Sequence, residues 1–198
     1  MGRWEPDAGG RLARAALELY AERGYEQTTV AEIAQRAGVT ERTFFRHYAD
    51  KREVLFGASD EVYEVLASAV GAVPPAATPL RALTAGLVAL AGMFAERHEH
   101  ARQRQAVIAA NASLRERELT KLAAMATALA DALRRRGVAD PAATLAAEAG
   151  IAAFRVGFEL WLAGPGKADV AQVVREALDE LGGVFAGGET SRRVVDAG

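Results

Sequence analysis

Between Thr40 and Lys51 the chain gathers guanidinium, hydroxyl, aromatic and imidazole groups into one short run. Arg42 can offer a bidentate fork to a guanine edge, and a thymine methyl can pack on Thr43 or Phe45; both base features are displayed in the major groove of B-DNA. Glu41, Arg46 and His47 complete the outward-facing set. Thr29, Thr40, His47, Tyr48 and Lys51 lie near expected helix ends, where hydroxyls, an ammonium and free backbone amides can hold phosphates. Base reading combined with phosphate positioning is the chemistry of a helix that enters a DNA groove.

Such a helix is short and needs a brace. Thr29-Val-Ala-Glu32 has the form of a capping box and predicts a helix over about 30–37. Gly38 and Val39 form a turn, and Thr40 caps a third helix containing Phe44, Phe45 and Tyr48. Upstream, Leu12, Ala16, Leu19 and Tyr20 recur at helical spacing over 8–23 and Gly24 closes the segment, although Gly9-Gly10 favours a late start. Val30, Ile33, Ala34, Ala37, Val39 and Phe44 supply a small core. Asp50 is expected to cap a fourth helix over about 51–71, a strut burying Val54, Leu55, Val62, Val65 and Leu66 on one stripe.

Beyond a proline-bearing loop at 72–79, Thr78-Pro79 opens a helix with Leu83, Leu87, Leu90 and Phe94. A further helix spans about 100–110. Ser113-Leu-Arg-Glu116 repeats the capping box before a long helix with Leu119, Leu122, Met125, Leu129 and Leu133. Arg134 to Arg136 close that helix as cations compensating its C-terminus. Asp140-Pro141 begins a helix carrying Ala149, Phe154, Phe158 and Trp161, and a last helix takes Val170, Val173, Val174, Leu178 and Leu181. No alternating strand pattern occurs. The expectation is an all-α chain of about nine helices: a helix-turn-helix domain over 1–56, a helical-bundle ligand-binding and dimerisation domain over 57–186, and a frayed tail over 187–198.

The sequence has 198 residues, no cysteine and a net charge of -2. Disulfides, thiolate catalysis and cysteine-ligated metals are excluded. Neither an apolar signal core nor a membrane-spanning stretch is present, so a cytoplasmic protein with no membrane partner is expected. Bulk charge does not favour nucleic acid, since residues 1–56 carry nine Lys and Arg against nine Asp and Glu. Locally, Arg42, Arg46, Lys51 and Arg52 outnumber Glu41 and Asp50. His98-Glu-His100 is read as a solvated turn, because residues two apart on a helix point to different faces and no third ligand is evident. No metal or cofactor is expected. No nucleophile with a base, carboxylate pair or phosphate loop is visible, so no enzyme is expected.

The run from Thr28 to Leu55, with capping Thr29, turn Gly38, Thr43-Phe44-Phe45, His47-Tyr48 and Lys51, resembles the DNA-binding domain of TetR-family regulators over roughly residues 10–58. The resemblance implies phosphate contacts at Thr29, Tyr48 and Lys51 and groove-facing positions at Glu41, Arg42, Thr43, Phe45, Arg46 and His47. It also implies a homodimer on a near-palindromic operator, joined through helices near 142–163 and 168–186. Leu160, Leu162, Val173, Val174, Leu178 and Leu181 are the interface candidates, with burial in the monomer core as the equal alternative.

The cadence from Asn111 to Leu119, then a long Ala/Leu helix and Trp161-Leu162, resembles the branch whose ligand domain takes acyl-CoA-like effectors. That implies a repressor released by a small effector. Phe94, Met125, Leu129, Phe154, Phe158 and Trp161 could line the apolar part of the site, plain core being the alternative, and Arg102 is among the cations available for phosphates. The rival reading is a ligand- or partner-binding protein of the same fold without specific operator binding.

Overall fold

The structure, a computed structural model, describes residues 7–57 and 59–186. The tail expected over 187–198 lies outside the described residues. Among those described, the chain forms nine α-helices and a single 3-10 turn, with no strand. The helices are α1 (Ala8–Arg23), α2 (Val30–Arg36), α3 (Glu41–His47), α4 (Ser59–Ala72), α5 (Pro79–Gly92), α6 (His98–Ala110), α7 (Ala112–Arg135), α8 (Ala142–Ala163) and α9 (Val170–Ala186); the 3-10 turn is Glu53–Leu55. No described helix is long and apolar enough to cross a membrane.

The capping residues set several of the starts. Thr29 and Glu32 form the full reciprocal box at α2, Thr40 accepts from the Thr43 amide at α3, and Thr78 accepts from the Arg81 amide ahead of Pro79. Each satisfies amides that a first helical turn leaves without partners. At α1 the two glycines do not delay the helix. Asp7 folds back to accept from the Gly10 amide at 2.8 Å, and a Cβ at Gly10 would collide with that carboxylate.

The strut expected over 51–71 is broken. Asp50 caps the 3-10 turn, accepting from the amides of Arg52 at 2.8 Å and Glu53 at 3.2 Å. The Leu55 carbonyl, which a continuous helix would pair with the amide four residues on, accepts instead from Arg104 Nε at 2.8 Å. At Gly57 a Cβ would stand 2.8 Å from the Tyr48 ring, so a residue without a side chain is needed there. The regular helix resumes only at Ser59. Two other starts also differ: His98 to His100 form the first turn of α6 rather than a connecting turn, and α7 begins at Ala112, ahead of Ser113.

By contact the chain forms two compact units. One unit, here the head, comprises residues up to Val62 together with Arg97–Ala124; the other, the bundle, comprises Tyr63–Glu96 and the residues from Met125 onward. The core of the head joins Leu12, Ala16, Leu19, Ile33 and Phe44 to Val107, Ile108 and Leu114. α6 and the first half of α7 therefore complete a core that the first three helices leave open.

In the bundle, α5, α8 and α9 pack on one another. A Cβ on Gly157 of α8 would lie 3.0 Å from the Val174 Cα, so the glycine permits the close approach of α9. Arg134 and Arg135 lie in the last turn of α7, as expected of cations at a helix C-terminus. Arg134 pairs with Asp131 at 2.7 Å and Asp140 at 2.8 Å, while Arg136 donates to the carbonyls of Val70, Val73 and Pro74 at the end of α4.

Ile108→Ala is expected to lower the unfolding free energy of the head by about 2–5 kcal/mol, the usual cost of truncating a fully buried aliphatic side chain. Urea denaturation measures it. An unchanged midpoint would remove α6 from the head's core.

Candidate nucleic-acid interface

α3 is only seven residues long, and three anchors fix its orientation. Phe44 is fully buried, with its ring edge-on to Phe45 and 5.7 Å from Tyr48. Thr40 caps the start. At the other end the Tyr48 amide closes the helix on the Phe44 carbonyl, and the Tyr48 hydroxyl donates to the Gly9 carbonyl at 3.0 Å. Burial, followed by the nearby Asp7 carboxylate, pushes the Tyr48 phenol above its ordinary pKa.

The anchors leave Glu41, Arg42, Phe45, Arg46 and His47 exposed and Thr43 half-buried. Phe45 is 56% exposed, an unusual position for a large apolar ring. Arg42 and Arg46 form no hydrogen bond or ion pair with any described residue. The Thr43 hydroxyl is shared with that of Thr40 at 3.1 Å, so Thr43 serves the cap as well as the face. Thr29 likewise both caps α2 and donates to Glu32.

Lys51 is bound to backbone carbonyls of the head. Its ammonium donates to the carbonyls of Tyr25 at 2.9 Å, Thr28 at 3.2 Å and Glu26 at 3.3 Å, and lies 4.3 Å from the Tyr25 ring centre. An ammonium has three N–H donors. All three point to the turn that leads into α2. The Tyr20 hydroxyl donates to the Lys51 carbonyl at 2.6 Å and completes the clamp.

A second tie runs through the 3-10 turn. Glu53 accepts from Arg117 and pairs with Lys121 at 3.3 Å, both on α7. The Arg117 hydrogen bond, with Lys121 behind it, holds the Glu53 carboxyl below the usual glutamate range. Arg104 bonds the Leu55 carbonyl, stands 5.0 Å over the Phe56 ring and lies 3.6 Å from Glu118. A polar cleft of about 650 Å³ opens beside these groups, lined by His47, Tyr48, Asp50, Glu53, Asp60, Glu116 and Arg117 among others. Its Asp50 is spent on Arg52 and its Glu53 on Arg117.

In the bundle, Phe94, Phe158, Phe154 and Trp161 form one aromatic row. Ring centres are 4.8 Å apart for Phe94 and Phe158, 5.8 Å for Phe154 and Phe158, and 5.4 Å for Phe158 and Trp161. The Trp161 indole donates to the Ala168 carbonyl at 3.0 Å. Leu129 is fully buried and packs close to Gly86 of α5, while Met125 is half-buried. Arg102 does not join this row. It belongs to the head and pairs with Glu99 at 3.1 Å.

The candidate interface residues divide by exposure. Leu162, Val174 and Leu178 are buried within the monomer, Val173 and Leu181 are half-buried, and Leu160 is 61% exposed. Sequence reasoning missed Leu145 at 65% and Val156 at 48%, which continue the Leu160 stripe along α8, as well as exposed Val184 on α9. The signal was present: α8 is apolar on two faces, and only one of them is needed to pack on α5 and α9. Among the described residues no group of three or more metal-ligating side chains occurs.

An all-helical chain with a braced, outward-facing short helix and a separate bundle has the architecture of the helix-turn-helix transcription regulators. Residues 12–58 match the bacterial regulatory proteins of the tetR family, and residues 77–186 match the MftR C-terminal domain. The chain belongs to the TetR family of transcriptional regulators, which are not enzymes.

The HTH-type transcriptional regulator TcmR of Streptomyces glaucescens is 40% identical over 82 residues, 41% of this chain and 36% of that protein. The putative mycofactocin biosynthesis transcriptional regulator MftR of Mycobacterium tuberculosis is 35% identical over 57 residues, 29% of each chain. These matches thus span about a third of the relatives' own lengths. A transcriptional regulator from Rhodococcus sp. Rha1 shares the fold with a TM-score of 0.55 and 25% identity, over 90% of this chain and 96% of that one. FadR from Bacillus subtilis, solved in complex with stearoyl-CoA, aligns with a TM-score of 0.59 and 21% identity, over 87% and 96% of the two chains.

Lys51→Met keeps the aliphatic stem and deletes three carbonyl bonds. It is expected to cost about 1–3 kcal/mol in chemical denaturation; an unaltered midpoint would show that these bonds do not hold the turn. Glu53→Gln is expected to lower the melting temperature at pH 7 by roughly 2–4 °C, the shift that about 1 kcal/mol produces in a chain of this size. Because the folded carboxyl titrates below its unfolded value of about 4.3, its contribution is present above that pH and is lost as pH falls through the folded value. The gap between wild type and variant therefore closes below about pH 4. A gap that stays constant with pH would show that charge plays no part.

Proposed function

We propose that this chain is a ligand-responsive repressor that binds a near-palindromic operator as a homodimer and is released by a small apolar or acyl-CoA-like effector. The observation that carries the reading is the pairing of two unpartnered arginines with an exposed phenylalanine on a helix whose other side is anchored. Thr29, Thr40, Tyr48 and Lys51 position the head on phosphates, while Glu41, Arg42, Thr43, Phe45, Arg46 and His47 face the groove. DNA binding resides in residues 1–56 braced by α6 and α7, and effector binding and dimerisation in residues 57–186.

Dimerisation uses the exposed stripe of α8, Leu145, Val156 and Leu160, with Val184 of α9, because a row of large apolar side chains left in water marks an association surface. The half-buried Val173 and Leu181 flank it. Leu162, Val174 and Leu178 are already consumed by the monomer core.

The effector site is the aromatic row of Phe94, Phe154, Phe158 and Trp161, with Met125 and Leu129 alongside. Bundles commonly hold ligands between helices. The acyl-CoA complexes of FadR from Bacillus subtilis and Thermus thermophilus, which share the fold, support an acyl chain as the first compound to try. Arg102, spent on Glu99, is set aside as a phosphate ligand. Release requires the effector to bind the operator-free form more tightly than the operator-bound form, and the same factor then weakens effector binding in the presence of operator.

Sedimentation and operator titration test the assembly. Leu160→Glu is expected to give a monomer whose operator affinity falls by about 10²–10⁴-fold, the loss that follows when two linked contacts become one. Wild-type binding is expected to weaken steeply with salt as phosphate contacts release counterions. Salt-insensitive or absent DNA binding would favour a ligand- or partner-binding protein on the same fold, the reading that the balanced charge of residues 1–56 suits. Acyl-CoA that leaves the operator titration unchanged would remove the effector assignment alone.

A further inference from the structure

The operator reading above can be taken to the level of bases, because the anchored side of α3 fixes which positions point straight out. Successive residues turn by about 100° around a helix. Phe44, fully buried, marks the inward direction. Arg42 and Arg46 then each lie about 160° from it, on either side of the outward pole. Phe45 with Glu41 and Thr43 with His47 form the two flanks. On the second flank the Thr43 hydroxyl is engaged with Thr40, and the His47 ring leans on Tyr48 with centres 6.3 Å apart. What remains free to meet a groove floor is two guanidinium groups, one exposed phenyl ring and, in the first turn, the Glu41 carboxylate.

We infer that Arg42 and Arg46 read guanines in two neighbouring base pairs of each operator half, with a thymine methyl seated against Phe45. A planar fork meets two acceptors only on guanine, through O6 and N7; adenine offers one acceptor beside a donor that repels the cation. The two arginines are four residues apart, about 6 Å along the axis. Recognition helices lying in the major groove place residues at this spacing on successive bases. The half-site therefore carries a GG, GC or CG step. Phe45 has no donor or acceptor, and the feature that major-groove base edges offer an apolar group is the C5-methyl of thymine. The inference rests on operator binding by this helix.

The test is selection from a random duplex pool with the full chain, repeated with Arg42→Ala, Arg46→Ala and Phe45→Ala, all surface changes whose folding is checked by circular dichroism. A near-palindrome with two adjacent G·C pairs per half is expected. Each arginine variant should relax a different one of the pairs, with discrimination at that pair falling by about 5- to 100-fold. In the selected site, replacing the flanking thymine by uracil should weaken the wild type and leave Phe45→Ala unaffected. A near-palindrome without adjacent G·C pairs overturns the base assignment while the regulator stands, as does a uniform loss of affinity in both arginine variants with sequence preference intact. No enriched site at any salt concentration overturns the operator reading, and the base assignment with it.

Discussion

A helix of seven residues does not hold together in water, because nucleating a helix costs more than so few hydrogen bonds return. α3 exists only as part of a larger assembly, and much of the head can be understood as the means of fixing it. Phe44 sinks its inward side into the core. Thr40 closes one end, and Tyr48, tied to the Gly9 carbonyl, closes the other. Since the inward side is saturated, Arg42 and Arg46 are left without partners, and the absence of internal bonds at those two side chains makes them available for an external one.

The same economy recurs wherever a backbone turns without a regular partner. Lys51 covers the carbonyls between α1 and α2, Arg104 takes the Leu55 carbonyl where the strut breaks, and Arg136 covers the carbonyls at the end of α4. In each case a long cation reaches from elsewhere in the chain to acceptors that a helix end or turn leaves open. Withdrawing a cation from water carries a desolvation penalty, so such contacts contribute more to fixing one geometry than to net stability.

This pattern separates what the sequence reveals from what it conceals. Thr29 with Glu32, Thr40 and Thr78 act on amides two or three residues away, and the helix starts they set are legible from a short window. The outward face of α3 is legible too, because one buried aromatic fixes the phase. The surroundings of the 3-10 turn are not, since the Leu55 carbonyl is taken by an arginine 49 positions further on. Nor are the carbonyl bonds of Lys51 legible, because their acceptors lie more than twenty residues upstream. On α8 the apolar residues satisfy both inward and outward demands. Periodicity alone therefore leaves both roles open for Leu162, which is buried, and for Leu160, which is exposed.

The head draws its core from residues 12–56 and again from Val107, Ile108 and Leu114, while Tyr63–Glu96 between them belongs to the bundle. Neither unit is a continuous stretch of chain. During synthesis, where domains ordinarily fold one after another from the N-terminus, α1 to α3 emerge before α6 and α7 and wait for them before their core can close. By then the first helices of the bundle have already left the ribosome, so the maturation of the two units overlaps in time instead of proceeding in sequence.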